Sequence, residues 1–113
     1  MRIVQTAKHK IAILSLVGDP LCEPDAMLLR NKIHDILDGK IKHVILDLSG
    51  VKHINSTGLG GLVSALVTML RAGGDLTLAS TGVNVRKVLK ITKLAAVFTT
   101  YENVDEALKN YRL

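Results

Sequence analysis

The chain has 113 residues, of which 48% are hydrophobic and 3% aromatic, and its formal net charge is +5. This length suits one domain rather than two, and the hydrophobic fraction is sufficient for a continuous aliphatic core. The single cysteine, Cys22, excludes an internal disulfide, which fits a reducing compartment. Because no secretory leader is visible and no apolar run reaches about 18 residues, we expect a cytoplasmic protein without a membrane span.

The first third of the chain predicts two strands and a helix. The strands cover 1–5 and 10–17, with a turn at 6–9, and the second strand is almost entirely apolar, as in strands covered on both faces. A helix is predicted over 23–37, with Gly39 as its stop signal. Its apolar positions at near-helical spacing are Met27, Leu28, Ile33, Ile36 and Leu37.

The rest of the chain alternates strands and helices. Strands are predicted over 41–48, 75–79 and 97–101, and helices over 57–72, 84–91 and from the cap Asn103 to about residue 111. The order ββαβαβαβα predicts an α/β fold, a single domain over 1–113. The apolar positions of the longest helix follow the i, i+3, i+4, i+7 rule: Leu59, Leu62, Val63, Leu66, Val67 and Leu70.

The residues that begin this longest helix are unusual. Asn55-Ser56-Thr57 contains three residue types that cap helices, so a cap alone is one interpretation. The glycines that follow, however, each cost about 1 kcal/mol relative to alanine. The face opposite the apolar stripe is small and uncharged instead of rich in Lys and Glu. A face of this kind beside a hydroxyl is typical of a docking surface. Its predicted members are Gly60, Gly61, Ser64, Ala65 and Thr68.

The segments 44–51 and 54–60, together with 72–76 and 85–94, resemble the STAS domain family, in particular the stand-alone anti-sigma factor antagonists of bacteria. The resemblance implies a STAS-type mixed β-sheet of four or five strands with four helices, and a binding protein, not an enzyme. It also implies a partner switch. The unphosphorylated antagonist binds an anti-sigma factor that is also a serine kinase, the kinase phosphorylates the antagonist, and a serine phosphatase reverses this.

Carried over to this sequence, the resemblance places the phosphorylated serine at Ser56, with Thr57 as the weaker alternative. The partner-binding residues that it implies are Asn55, Ser56, Thr57, Gly58, Leu59, Gly60, Gly61, Ser64, Asp19 and Leu21. Two positions depart from the family pattern. Asn55 stands where the family usually has Asp, and Leu21 stands at about the place of another Asp. These departures favour an alternative, a STAS subunit or scaffold of a transporter or signalling complex that is not phosphorylated.

Other kinds of site find little support in the sequence. The four histidines are scattered and lack cysteines at zinc-ligand spacing, so we predict no metal and no cofactor. Ser56 does not lie in a Gly-x-Ser-x-Gly elbow, which argues against hydrolase chemistry. A basic stripe comprises Arg86, Lys87, Lys90 and Lys93. Because no aromatic residues accompany it, we expect a solvated helix face and no nucleic-acid partner.

Overall fold

The computed structural model describes residues 2–18 and 23–111. The described elements follow the predicted order, ββαβαβαβα, with one added 3-10 turn at Leu94–Ala96. The strands are β1 (Arg2–Lys8), β2 (Ile11–Val17), β3 (His43–Gly50), β4 (Asp75–Ala79) and β5 (Thr100–Tyr101). The helices are α1 (Glu23–Asp38), α2 (Ser56–Arg71), α3 (Val83–Ile91) and α4 (Val104–Lys109).

The strands form one mixed sheet in the order β1-β2-β3-β4-β5, which confirms the predicted fold class. β1 is antiparallel to β2, whereas β2 to β5 are parallel to one another. The carboxyl ends of parallel strands meet at one edge of a sheet, where the following loops and helix starts gather. The first turn of α2, which follows β3, therefore lies at this carboxyl edge.

The sheet separates two hydrophobic clusters of very different size. The larger cluster lies between the sheet and α1, α2 and α3, where Leu14, Leu46 and Leu78 of the central strands are fully buried. On the opposite face, Ile11, Ile13 and Ile45 pack in a smaller cluster with Ala107 of α4. β2 therefore contributes to both clusters, which confirms the prediction that its apolar run is covered on two sides.

The first hairpin turn differs from the prediction. β1 continues to Lys8, and the chain reverses at His9 and Lys10, whose φ angles are 53° and 65°. Two left-handed central residues make a turn whose twist matches that of paired strands. Glycine or asparagine usually signals such a turn, and neither is present, so the predicted turn at 6–9 was too early.

The predicted burial of α1 was wrong at two positions. Met27 and Leu28 are 60% and 48% exposed, whereas Leu29 is buried. The side of α1 that faces the sheet and α2 is built instead from Leu29, Ile33 and Ile36. Several faces of α1 carry apolar residues, so the spacing alone did not select the buried one.

The predicted strand over 97–101 was too long, because β5 contains only Thr100 and Tyr101. The residues before it form a turn, in which the N–H groups of Val97 and Phe98 both donate to the Leu94 carbonyl at 2.9 and 3.1 Å. Phe98 is buried, so this apolar stretch reflects a buried turn. Across the described ranges, no helix is both long and apolar enough to cross a membrane.

Candidate partner-binding site at the start of helix α2

The loop from β3 to α2 is anchored by Asp47. One oxygen of this carboxylate accepts a hydrogen bond from the Ser49 N–H at 3.0 Å, and the other accepts from Ser15 Oγ of β2 at 3.2 Å. Gly50 then passes so close to β2 that a Cβ there would lie 2.7 Å from the Leu16 carbonyl oxygen. A carboxylate and a glycine therefore fix the direction in which the chain approaches α2.

Asn55 is the residue that caps α2. Its backbone is extended, and its Oδ1 accepts hydrogen bonds from the Gly58 N–H at 2.9 Å and from Thr57 Oγ1 at 2.8 Å. The Asn55 carbonyl accepts the first helical hydrogen bond, from the Leu59 N–H at 2.9 Å. The capping function predicted for Asn55-Ser56-Thr57 therefore belongs to Asn55.

Ser56 and Thr57 differ in the availability of their hydroxyl groups. Both residues are exposed, but the Thr57 hydroxyl donates to Asn55. No residue within 2–18 or 23–111 forms a hydrogen bond with the Ser56 hydroxyl. The N–H groups of Ser56 and Thr57 belong to the first turn, where helical N–H groups lack a partner within the helix. That turn contains no acidic side chain.

The predicted small-residue face of α2 is exposed only in part. Gly61 and Ala65 are buried, and a Cβ at Gly61 would lie 2.6 Å from Ala26 Cβ of α1. The prediction that these two residues are exposed was therefore wrong: α1 lies against Gly61, and Ala65 belongs to the larger hydrophobic cluster. Gly60 is exposed, and a Cβ there would meet nothing within 4 Å.

The buried side of α2 is consequently rotated toward α1 relative to the predicted apolar stripe. Val67 and Leu70 belong to that stripe but are 37% and 55% exposed. Met69, which was not predicted to be buried, is fully enclosed. The close approach of α1 at Gly61 accounts for the difference, since it adds a second helix to the surfaces that α2 must contact.

The predicted binding residues thus fall into three groups. Asn55, Ser56, Thr57 and Gly60 are exposed, and Ser64 is half-buried. A second group is buried on the inner side of α2 and consists of Gly58, Leu59 and Gly61. The remaining two, Asp19 and Leu21, lie outside the described residues. Thr57, Gly60 and Ser64 recur at helical spacing and form a neutral, nearly flat strip that runs along α2 from Ser56.

A second feature of the same edge was not predicted. The loops that follow β3 and β4 enclose a groove of about 210 Å³, lined among others by His53, Gly82 and Val83. Val83, the first residue of α3, is 72% exposed. Val83 lies at the carboxyl edge because β3 and β4 are parallel neighbours. The periodicity of the sequence does not reveal which strands are neighbours. Within the described ranges, no group of three His, Cys, Asp or Glu side chains is arranged to hold a metal ion.

The chain is similar to proteins of one family. The family model of the STAS domain matches residues 2–107. A candidate anti-sigma factor antagonist of Thermotoga neapolitana is 33% identical over 86 residues, 75% of this chain and 76% of that protein. The crystal structure of a candidate anti-sigma factor antagonist from Thermotoga maritima has a TM-score of 0.87 at 27% identity, covering 98% and 95% of the two chains. Phosphorylated SpoIIAA, a Bacillus cell fate determinant, shares the fold, with a TM-score of 0.75 at 18% identity and coverage of 98% and 100%.

Proposed function

The chain belongs to the STAS domain family, and from that premise we propose that it is an anti-sigma factor antagonist regulated by phosphorylation of Ser56. The exposed surface that begins at Ser56 binds an anti-sigma factor, which is also the serine kinase, and a serine phosphatase reverses the modification. The names of the two Thermotoga relatives support the antagonist role. The observation that carries the proposal is the exposed Ser56 hydroxyl, which no described residue engages.

A phosphate on Ser56 is compatible with the fold. Asn55 supplies the cap, so modification of Ser56 removes no capping hydrogen bond. A phosphoserine adds about −1.5 to −2 charges at neutral pH, beside the free N–H groups and the positive end of the helix dipole. A negative charge at this position stabilises a helix by about 0.3–1 kcal/mol. The domain therefore stays folded in both states.

The same phosphate is incompatible with a close-fitting partner. Thr57, Gly60 and Ser64 offer a neutral strip with little side-chain bulk, so a partner can approach the backbone of α2. A doubly charged group at the start of this strip keeps its hydration shell and holds the partner away. Modification therefore changes affinity without a change of fold, which is the property that a switch needs.

Thr57 is the weaker candidate for modification for a physical reason. Its hydroxyl already donates to Asn55 Oδ1 at 2.8 Å, next to the capping bond from the Gly58 N–H. Phosphorylation of Thr57 would break the first bond and place a dianion against the same oxygen. Ser56 involves no such cost.

The first experiment measures binding to the anti-sigma factor that co-purifies with the chain from its native cytosol. Ser56→Asp is expected to weaken this binding at least about tenfold, with a thermal unfolding midpoint within about 4 °C of wild type. The matched control is Thr99→Asp, which adds the same charge at an exposed position outside α2, immediately before β5. Equal affinities of wild type and Ser56→Asp would refute the switch.

A second candidate function is a STAS subunit or scaffold that is never phosphorylated. It is favoured by Asn55, which caps the helix as Asp would but lacks the carboxylate that the family usually places before the serine. Incubation with the co-purified kinase and ATP, followed by mass spectrometry of wild type, Ser56→Ala and Thr57→Ala, separates the two functions. Phosphate that disappears only in Ser56→Ala supports the switch, whereas an unmodified wild type supports the scaffold.

A further inference from the structure

β1 forms an edge of the sheet, because β2 is the only strand within residues 2–18 and 23–111 that pairs with it. In a hairpin with a two-residue turn, the residues that flank the turn, here Lys8 and Ile11, exchange hydrogen bonds. The alternation of an antiparallel ladder then directs the backbone N–H and C=O groups of Ile3, Gln5 and Ala7 away from β2. These groups form a row that another extended chain can pair with.

A groove runs beside this row, between β1 and α1. It has a volume of about 430 Å³ and is lined by Arg2, Ile3, Leu28, Asn31, Lys32 and Asp35. Its apolar part consists of Ile3, which packs against the larger core, and Leu28, which is 48% exposed although it lies on a helix that faces the core. An open strand edge beside a helix groove is the arrangement in which peptides bind as an added strand.

We propose that an extended acidic segment of a partner protein binds along β1 as a sixth strand and inserts alternate side chains into the groove beside α1. The seven residues of β1 offer an edge of about 20 Å, since a strand rises about 3.4 Å per residue. Main-chain hydrogen bonds to Ile3, Gln5 and Ala7 hold the segment, and Leu28 receives an apolar side chain. This surface is separate from Ser56 and does not depend on the proposed function.

The charges of the edge select the partner. Arg2 and Lys8 stand at the two ends of β1, which has no acidic residue, and Lys10 follows in the turn. In the groove, Arg2 and Lys32 outnumber Asp35. A bound segment with a carboxylate near each of its ends places one carboxylate beside Arg2 and the other beside Lys8.

A second copy of the chain is a poorer occupant of the same edge. Antiparallel pairing of two β1 strands about Gln5 places Arg2 of each copy opposite Lys8 of the other. Like charges directly opposite one another destabilise a strand pair. Edge strands commonly use such charges against self-association. The repulsion that disfavours a second copy becomes attraction for an acidic strand.

The probe is a fluorescein-labelled, terminally blocked heptapeptide, Glu-Val-Thr-Val-Thr-Val-Glu, whose two glutamates have the same spacing as Arg2 and Lys8 in β1. Its control carries lysine at both positions. We expect saturable binding of the glutamate peptide below about 1 mM in fluorescence anisotropy, weakened by salt, and none of the lysine peptide. Absence of saturable binding, or equal binding of both peptides, would overturn the proposal.

Gln5→Pro tests the main-chain pairing. Proline removes the outward N–H of residue 5 and is tolerated on edge strands where that group faces solvent. We expect affinity to fall at least about tenfold in Gln5→Pro and to stay within about twofold in Gln5→Ala, which keeps the N–H. Unchanged affinity of a folded Gln5→Pro protein contradicts the added strand. A dimer in sedimentation velocity that Gln5→Pro abolishes would identify a second copy as the occupant instead.

Charge variants decide the question even if Gln5→Pro does not fold. Arg2→Glu combined with Lys32→Glu should weaken the glutamate peptide about tenfold and let the lysine peptide bind. Lys87→Glu combined with Lys90→Glu makes the same change in net charge on exposed positions of α3 and serves as the control. Equal losses in the two double variants would show a general effect of net charge and refute the site.

Discussion

Gly60 and Gly61 are neighbours in α2 with opposite surroundings, and alanine at each should have opposite effects on stability. A Cβ at Gly61 would lie 2.6 Å from Ala26 Cβ and 3.0 Å from Ala26 Cα, whereas a Cβ at Gly60 meets nothing within 4 Å. Carbon atoms in contact prefer about 3.5–4.0 Å, so Gly61→Ala forces α1 and α2 apart by about 1 Å. Overpacking of this kind costs about 1–3 kcal/mol.

The helix preference of alanine over glycine, about 1 kcal/mol, applies to both variants. Gly60→Ala should therefore be more stable than wild type by up to about 1 kcal/mol, and Gly61→Ala should be less stable by up to about 2 kcal/mol. The two differ by one residue position and have the same composition, so each controls for the other.

Urea unfolding followed by circular dichroism measures this difference as a change in midpoint at constant slope. In a domain of this size, 1 kcal/mol corresponds to about 4 °C in the melting temperature. Equal stability of the two variants, or a more stable Gly61→Ala, would refute the close contact between α1 and α2.

Three further variants test the cap of α2 and the ionisation of Tyr111. Asn55→Ala removes the acceptor for the Gly58 N–H and should lower the free energy of unfolding by about 1 kcal/mol, whereas Asn55→Asp should not, and urea titrations of both decide it. Burial raises the pKa of Tyr111 above its ordinary value, with the charge of Asp75 adding to the effect. The folded state therefore favours the neutral phenol, whose stabilisation is complete below about pH 10 and is lost above it. Tyr111→Phe should lose less stability than wild type between about pH 8 and about pH 11 in urea titrations, and an equal loss would contradict this assignment.

The sequence predicted elements wherever local chemistry and tertiary packing agree. The apolar run of β2 predicted burial on both faces, and in the structure both faces are covered. Asn103 was predicted to cap the last helix, and its Oδ1 accepts from the Glu106 N–H at 2.8 Å. In both places the signal lies within a few residues, so no knowledge of distant contacts was required.

The sequence could not predict features that depend on distant neighbours. The burial of Gly61 follows from Ala26 lying against α2, and these two residues are far apart along the chain. The helical period of the sequence identifies which residues share a side of α2. It does not identify which neighbouring element packs against each side. Of the candidate site, the cap and the exposure of Ser56 are local and could be anticipated. That the Thr57 hydroxyl donates to Asn55 while the Ser56 hydroxyl does not could be seen only from the side-chain geometry.

The unequal cover of the two sheet faces has a consequence for the dynamics of the native state. Three helices cover one face, but the other depends on α4, whose six residues are too few to form a stable helix alone. Detachment of α4 leaves the larger core intact and uncovers Ile11, Ile13 and Ile45. Local opening, rather than global unfolding, is thus the route by which this sheet first presents apolar surface to other molecules.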